Sequence, residues 1–147
     1  EKQKVKRLYG VLEKQFRNYV MKAFKTRGNT GEKLMNLLEK RLDNVVYRLG
    51  FAPTRPAARQ LVSHRHVLVD GKKVNIPSYQ VKTGETIGLS AKAMQVPYIK
   101  KLLEAKEPKI PDWILRKAAV GKINREPKRE DINEPISEQD IVEFYSR

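Results

Sequence analysis

The chain has 147 residues, 39% of them hydrophobic, so it can bury a core. It has no cysteine and only two histidines, which excludes disulfides and thiolate metal sites and leaves no pattern for a metal or cofactor. Because no apolar run approaches the roughly 20 residues that span a bilayer, we expect no membrane partner. The excess of 31 Lys+Arg over 17 Asp+Glu favours a polyanionic partner.

The positive charge is concentrated in the first half of the chain. Residues 1–73 carry 18 Lys+Arg and 6 Asp+Glu, whereas residues 74–147 carry 13 and 11. From residue 126 onward acidic residues prevail, with 3 Lys+Arg against 7 Asp+Glu. We therefore expect the polyanion to face mainly the first half, and the end of the chain to meet protein or solvent.

Apolar residues at the start of the chain keep helical spacing and predict one helix that ends by Gly28. They are Val5, Leu8, Leu12, Phe16, Tyr19, Ala23 and Phe24. Gly10 lies inside this pattern and weakens a helix by roughly 1 kcal/mol relative to Ala, so it marks a place for a bend. The basic leader contributes candidate contacts to the polyanion at Lys2, Lys4, Lys6 and Arg7. For Lys14, Arg17, Lys25 and Arg27, which lie off the apolar stripe, a solvated face and a binding face are both open.

A basic loop with two glycines, Lys25 to Gly31, follows. It lacks the spacing of a nucleotide-binding P-loop, so we interpret it as a backbone contact to phosphate and not as an ATP site. Thr30 is the expected cap of the next helix. The apolar stripe from Leu34 to Leu49 is continuous, and either one long helix or two helices with a kink near Arg41 would satisfy it.

The stretch from Arg41 to Gly71 predicts two short helices that feed a strand. One helix presents an apolar stripe and ends at Gly50, and Thr54 then caps a second helix. The stripe of the first consists of Leu42, Val45, Val46 and Leu49, and the second places Ala57, Ala58, Leu61 and Val62 on one side. Spacing by four places Arg55, Arg59 and Ser63 on another side, where we expect the arginines to stay outside.

A small antiparallel sheet is expected beyond these helices. Val67 to Val69 is β-branched, and Asp70-Gly71 is a strong hairpin turn that brings Lys72 and Lys73 to the tip. Extended runs at Tyr79–Val81 and Thr86–Leu89 continue the sheet. Trp113–Leu115 and Val120–Ile123 are further short strands, and the segment from Ile141 to Tyr145 is expected to dock on the first helices.

Enzymatic chemistry has no specific support in the sequence. Ser63, His64, His66 and Asp70 lack the glycine pattern of a nucleophile elbow, so we predict no catalysis. Nucleic-acid binding is better supported, because an arginine fork can bond two phosphate oxygens and the hairpin adds lysines. Aromatic residues make up only 7% and do not alternate with basic ones, which favours structured RNA over a single-strand stacking platform.

The stretch TGEKLMNLLEKRLDNVVYRLGFAPTRPAARQLVSHRHVLVDGKKVNIPSYQVKTGETI resembles the bacterial-type small-subunit ribosomal protein four family, including its helix-helix-strand RNA-binding module. The similarity extends from EKQKVKRLYGVLEKQFRNY to IVEFYSR and thus covers essentially the whole chain. The family's first segment, which binds zinc in some members, is not among these 147 residues. The chain begins with Glu and not Met, so we treat it as a fragment or a processed form.

The resemblance implies RNA contact at matching positions: Arg41, Asn44, Arg48, Thr54, Arg55, Arg59, Gln60, Ser63, His64, Lys72 and Lys73. For Asn44 and Arg48 a cap or a hydrogen bond within the module is an equal alternative. Two departures matter. Arg65 stands where many members have glycine, which argues against a positive φ there, and Asp70 replaces an asparagine, which lowers the positive potential near the hairpin tip.

Together these features predict an α+β protein with a discontinuous helical domain, residues 1–40 and 112–147, around an inserted RNA-binding domain, residues 41–111. The resemblance implies a cytoplasmic ribosomal protein that binds small-subunit ribosomal RNA first, nucleates assembly of the subunit body and influences translational accuracy. Its implied partners are that RNA, small-subunit ribosomal protein five, and messenger RNA where it enters the subunit. The alternatives are a free-standing RNA binder of the heat-shock type and an RNA-binding appendage of an RNA-modifying enzyme.

Overall fold

A computed structural model of the chain describes residues 2–104, 109–134 and 136–146. These residues form helices and a sheet, which confirms the α+β class. The helices are α1 (Lys2–Tyr9), α2 (Glu13–Lys25), α3 (Thr30–Glu39), α4 (Leu42–Arg48), α5 (Arg55–Ser63), α6 (Ala91–Met94), α7 (Pro97–Glu104) and α8 (Glu138–Tyr145). The strands are β1 (Val67–Val69), β2 (Lys72–Lys73), β3 (Thr86–Leu89), β4 (Ile114–Lys117) and β5 (Val120–Ile123). None of the helices in the described stretches is long and apolar enough to cross a membrane.

The chain divides into two compact units. Unit 1 consists of Glu1–Glu39 and Lys128–Arg147, and unit 2 is the continuous segment Lys40–Pro127. Residues 112–127, which were expected in the helical domain, lie in unit 2. The reason is long-range strand pairing, because β5 pairs with β3 and thereby adds both β5 and β4 to the sheet of unit 2.

The expected first helix is in fact two helices. Gly10 adopts φ +69°, a left-handed conformation that glycine reaches without steric cost, and it ends α1. The break shifts the buried positions of the following segment. Val11 is buried, whereas Leu12, expected on the apolar stripe, is 77% exposed. Gly10, which lies within a helical pattern in the sequence, therefore ends a helix in the structure.

The helix that follows the basic loop is capped one residue earlier than expected. The Oδ1 atom of Asn29 accepts a hydrogen bond from the backbone N–H of Glu32 at 3.1 Å, so Asn29 satisfies one of the helix's unpaired donors. Thr30 is the first residue of α3. Asparagine caps a helix as well as threonine does, and the two residues are adjacent.

The core of unit 1 joins α1, α2 and α3 to the last helix. Ile141 of α8 is buried, as the sequence predicted. The Tyr145 hydroxyl donates to Glu13 at 3.1 Å, and its ring centroid lies 6.1 Å from that of Phe16. The buried hydrophobic residues are Val5, Tyr9, Val11, Phe16, Val20, Ala23, Leu34, Met35, Leu38, Ile132, Ile136 and Ile141.

Unit 2 begins where the long apolar stripe is interrupted at Lys40 and Arg41, so the alternative with two helices is the correct one. Its five strands pair antiparallel in the order β2-β1-β3-β5-β4. The buried face of the sheet packs against α4 so closely that a Cβ on Gly121 of β5 would lie 2.5 Å from Leu49 Cδ1. Leu42, Val45, Val46 and Leu49 are fully buried, which confirms the predicted stripe.

Candidate nucleic-acid interface

Helix α5 turns one side to the core and a polar side to solvent. The Thr54 hydroxyl accepts a hydrogen bond from the N–H of Ala57 at 3.2 Å and so caps the helix, as predicted. Ala58, Leu61 and Val62 are buried. The polar residues exposed on the helix and at its two caps are Thr54, Arg59, Gln60, Ser63 and His64, all of them predicted contacts, and Pro56 in the first turn is exposed as well. Helix α5 therefore presents one continuous polar surface.

The hairpin between β1 and β2 adds two lysines to unit 2. Its turn residues Asp70 and Gly71 have φ +49° and +82°, the conformation of a tight two-residue hairpin turn. Lys72 and Lys73 follow the turn and are exposed. The carboxylate of Asp70 accepts hydrogen bonds from the Thr86 N–H at 2.8 Å and its hydroxyl at 3.2 Å. The exposed carboxylate of this turn residue is thus held against the first residue of β3.

From the arginine at position 65 we expected no positive φ there, and this expectation was wrong. The φ of Arg65 is +64°, and its N–H bonds to the Val62 carbonyl at 3.0 Å. The surrounding turn between α5 and β1 holds a non-glycine residue in a conformation that costs of order 1 kcal/mol or more. The local backbone is therefore the one that glycine would favour, and the Arg65 side chain is exposed.

Arg55 joins α5 to α4 and is only half exposed, contrary to the expectation that it stays outside. Its Nε–H donates to Asn44 Oδ1 at 3.0 Å, and its guanidinium lies 4.5 Å from the centroid of the Tyr47 ring. These contacts orient the first turn of α5 on α4. The half-buried Arg48 lies at the end of α4.

Arg41 and Asn44 lie in the interior of unit 2. The side chain of Arg41 is 1% exposed, and its Nε and Nη2 atoms each donate to the carboxylate of Asp43 at 3.0 Å. The Asp43 Oδ1 also accepts the Asn44 backbone N–H at 2.7 Å. For Asn44 the alternative of a hydrogen bond within the module is the one observed. Both residues were expected on the RNA surface, and the burial corrects that placement.

The cationic side chains of unit 1 fall into two groups. Lys2 and Lys6 bond to Glu13 at 2.9 and 2.7 Å, and the Lys2 ammonium lies 4.5 Å from the centroid of the Phe144 ring. The hydrogen bonds from Lys6 and then Lys2 lower the pKa of Glu13 to about 2. Part of their charge is therefore balanced inside the unit. The predicted contacts that are exposed are Lys4, Arg7, Arg17, Lys25 and Arg27; Lys14, Lys22, Lys33 and Lys128 are exposed as well.

Of the four residues considered for a hydrolase, His66 and Asp70 each have a different partner. His66 Nδ1 lies 3.2 Å from Ser90 Oγ, and burial lowers the pKa of His66. Asp70 is bonded to Thr86, as described above. Among the described residues no group of three or more His, Cys, Asp or Glu side chains could hold a metal ion.

Two further exposed lysines were missed from the sequence. Lys117 of β4 and Lys122 of β5 lie on strands whose burial alternates, and both point to solvent. The alternation in ILRK and VGKI was the available signal. It was overlooked because these strands join the sheet through the pairing of β5 with β3, which is a long-range contact.

The polar side of α5 and the lysine hairpin belong to a unit with the helix-helix-strand architecture of an RNA-binding module. The family model of the S4 domain matches residues 40–87, and the model of the ribosomal protein S4/S9 N-terminal domain matches residues 1–39.

Curated relatives extend this similarity over the whole chain. The small ribosomal subunit protein uS4 of Trichlorobacter lovleyi is 55% identical over 150 residues, which cover 100% of this chain and 72% of the relative. The protein of the same name from Xanthomonas campestris pv. campestris is 54% identical over 151 residues, 100% of this chain and 73% of the relative. The chain belongs to the small ribosomal subunit protein uS4 family, a family of structural and non-enzymatic proteins.

Proposed function

We propose that the chain is a primary binder of small-subunit ribosomal RNA in the cytoplasmic ribosome, that it nucleates assembly of the subunit body, and that it thereby influences translational accuracy. Family membership supports the ribosomal role. The observation that carries direct RNA binding is that unit 2 exposes both the polar surface of α5 and a hairpin with two lysines. The net charge of +14 supplies the electrostatic attraction.

The proposed contacts are the predicted residues that are exposed. They are Thr54, Arg59, Gln60, Ser63, His64, Lys72 and Lys73 in unit 2, and Lys4, Arg7, Arg17, Lys25 and Arg27 in unit 1. Arg48 and Arg55, which are half exposed, and Lys2 and Lys6, which bond to Glu13, are proposed as secondary contacts. Arginine suits the role because its planar fork matches phosphate oxygens.

Filter binding at several salt concentrations tests the function. The chain should bind a small-subunit ribosomal RNA body fragment more tightly than an unrelated structured RNA of equal length. The logarithm of the affinity should fall linearly with the logarithm of the salt concentration, because bound phosphates release counterions. Equal affinity for both RNAs would contradict a specific ribosomal role.

The α5 surface is tested by the double variant Arg59→Gln/Lys72→Gln. It should bind the ribosomal RNA fragment more weakly, and the salt slope should decrease by about one for each lost phosphate contact. The control is Lys92→Gln/Lys100→Gln, which removes the same charge from two exposed positions on α6 and α7. If both double variants lose the same affinity, only net charge matters and α5 is not part of the interface.

Two partners are proposed in addition to the RNA. The last segment, from residue 126 onward, has 7 Asp+Glu against 3 Lys+Arg, which suits a basic protein partner, and we propose small-subunit ribosomal protein five. Messenger RNA where it enters the subunit is proposed on the family resemblance. Crosslinking of assembled subunits followed by mass spectrometry should join protein five to residues 126–146. Crosslinks to other parts of this chain alone would contradict that contact.

A further inference from the structure

One face of the sheet in unit 2 points away from the core. Of the predicted RNA contacts, only Lys73 lies on this face. Side chains alternate along each strand, so the face opposite the core can be read from the pairing register. We call it the outer face; it consists of Leu68, Lys73, Thr86, Gly88, Leu115, Lys117, Val120 and Lys122. The opposite face holds the buried residues of the same strands, including Val67, Ile87 and Ile123.

The register places the outer-face residues in two rows across the sheet. One row runs Lys73, Leu68, Gly88, Val120, Lys117, through all five strands. The second runs Thr86, Lys122, Leu115. Neighbouring strands are about 4.8 Å apart, so the backbones at the two ends of the first row are about 19 Å apart. Lysines therefore stand at both edges of an aliphatic centre.

Lysines outnumber carboxylates on the outer face: the Asp70 carboxylate reaches it at Thr86, whose N–H and hydroxyl donate to it. The strand positions of the outer face include three lysines and no carboxylate, and Lys73, Lys117 and Lys122 are exposed. Within the described residues no carboxylate forms an ion pair with these lysines. Leu115 and Val120, each next to Lys117 and Lys122 on this face, are 49% and 51% exposed. The face is thus a cationic surface with a small apolar centre.

The middle of the outer face is shallow because of Gly88. A Cβ built on Gly88 meets no atom within 4 Å, and its φ is not positive, so neither packing nor backbone conformation requires glycine there. Its neighbours across the sheet are Leu68 and Val120. A rigid partner can therefore approach the backbone of β3 while lysines reach it from both edges.

We propose that the outer face is a second RNA-binding surface that holds the sugar–phosphate backbone of structured RNA. Phosphates bind Lys73 at one edge and Lys117 and Lys122 at the other, and ribose edges pack on Leu68 and Val120. The face contains no aromatic residue, so base stacking is not its mode of binding. This proposal rests on the proposed RNA-binding function and adds to it a surface on the opposite side of the sheet from the core.

A protein partner fits the outer face less well. Lysine is depleted from the cores of protein interfaces, whereas nucleic-acid interfaces are much more positively charged. The exposed aliphatic residues are few and lie between lysines. Charge complementarity therefore favours a polyanion.

Lysine acetylation with mass-spectrometric detection tests the outer face in the unaltered chain. In the complex with the ribosomal RNA body fragment, Lys117 and Lys122 should be protected relative to the free chain. Lys92 and Lys100 serve as internal controls and should stay reactive. If Lys117 and Lys122 stay reactive with RNA and become protected only when other small-subunit proteins are added, the face binds protein and the proposal is overturned.

Substitutions provide an independent test by filter binding to the same RNA. Lys117→Gln/Lys122→Gln should lower the salt slope by about two, since each lysine that leaves a phosphate lowers it by about one. Gly88→Val should weaken binding by filling the shallow centre, while the unfolding midpoint, followed by Trp113 fluorescence, should not fall, because the position is open and valine favours a strand. The control Lys92→Gln/Lys100→Gln should keep the wild-type slope.

The outcomes separate this proposal from the function on which it rests. If the chain itself does not prefer the ribosomal RNA fragment, the proposed function fails. If it does, and Arg59→Gln/Lys72→Gln weakens binding while Gly88→Val and Lys117→Gln/Lys122→Gln bind like the wild type, only the outer-face proposal is overturned.

Discussion

Removing the guanidinium of Arg41 tests whether this residue is part of the protein interior or of an RNA surface. Arg41→Ala removes both hydrogen bonds that its side chain makes to Asp43 and leaves that buried carboxylate with the Asn44 N–H. Removing one partner of a buried ion pair costs about 3–5 kcal/mol. Since whole domains are stable by about 5–15 kcal/mol, this is a large fraction of the total.

Urea unfolding measures the effect in unit 2, because Trp113, the chain's single tryptophan, is fully buried there. With an unfolding slope of about 2 kcal/mol per molar urea, a loss of about 4 kcal/mol lowers the midpoint by about 2 M. Arg59→Ala, at an exposed position, should change the free energy of unfolding by no more than about 0.5 kcal/mol. Arg41→Met/Asp43→Leu should recover most of the loss, because no unpaired charge remains.

RNA affinity separates the two roles. Below its unfolding transition Arg41→Ala should bind the ribosomal RNA fragment like the wild type, whereas Arg59→Gln/Lys72→Gln should bind more weakly. An Arg41→Ala chain with an unchanged urea midpoint and a weaker RNA complex would refute the interior role and restore Arg41 to the binding surface.

Two further predictions concern packing and pH. Gly121→Ala should lower the free energy of unfolding by about 1–3 kcal/mol in urea titrations, because the new Cβ collides with the buried Leu49 side chain. Gly88→Ala, at an open position, is the matched control. Equal urea midpoints for the two variants would contradict the close packing at Gly121. Glu13 has a folded pKa of about 2 against an ordinary 4.5, so its contribution to stability is present above pH 4.5 and is lost as the pH falls towards 2. The effect should be small because Glu13 is half exposed, and Glu13→Gln should show a smaller loss of stability over that pH range, as followed by circular dichroism.

Local signals predicted much of the fold. The Asp70-Gly71 dipeptide identified a hairpin because both residues reach positive φ, and Thr54 before Arg55 identified a helix start because its hydroxyl pairs with a free N–H. The stripe that ends at Leu49 was correct because spacing alone fixes which side of a short helix is buried.

The wrong predictions concern contacts that cannot be inferred from the spacing of apolar residues along the chain. Gly10 reads equally as a weak helix residue or as a terminator, and only the tertiary packing decides. Arg41 is indistinguishable in sequence from an exposed arginine, because its burial depends on the carboxylate of Asp43 folding back onto it. The membership of β4 and β5 in the sheet depends on the pairing of β5 with β3, which lies far away in sequence, and the local pattern does not give the register of that pairing.

The two units differ in how they are laid out along the chain, and this affects the order in which they can form during translation. Unit 2 is one uninterrupted segment, so all its contacts are available once residue 127 has been synthesised. Unit 1 requires both ends, and the hydrogen bond between Tyr145 and Glu13 joins residues 132 positions apart. Since domains fold as their residues become available and distant contacts form slowly, α8 completes unit 1 last. While unit 2 is being synthesised, the helices α1 to α3 therefore do not yet have α8 to pack against.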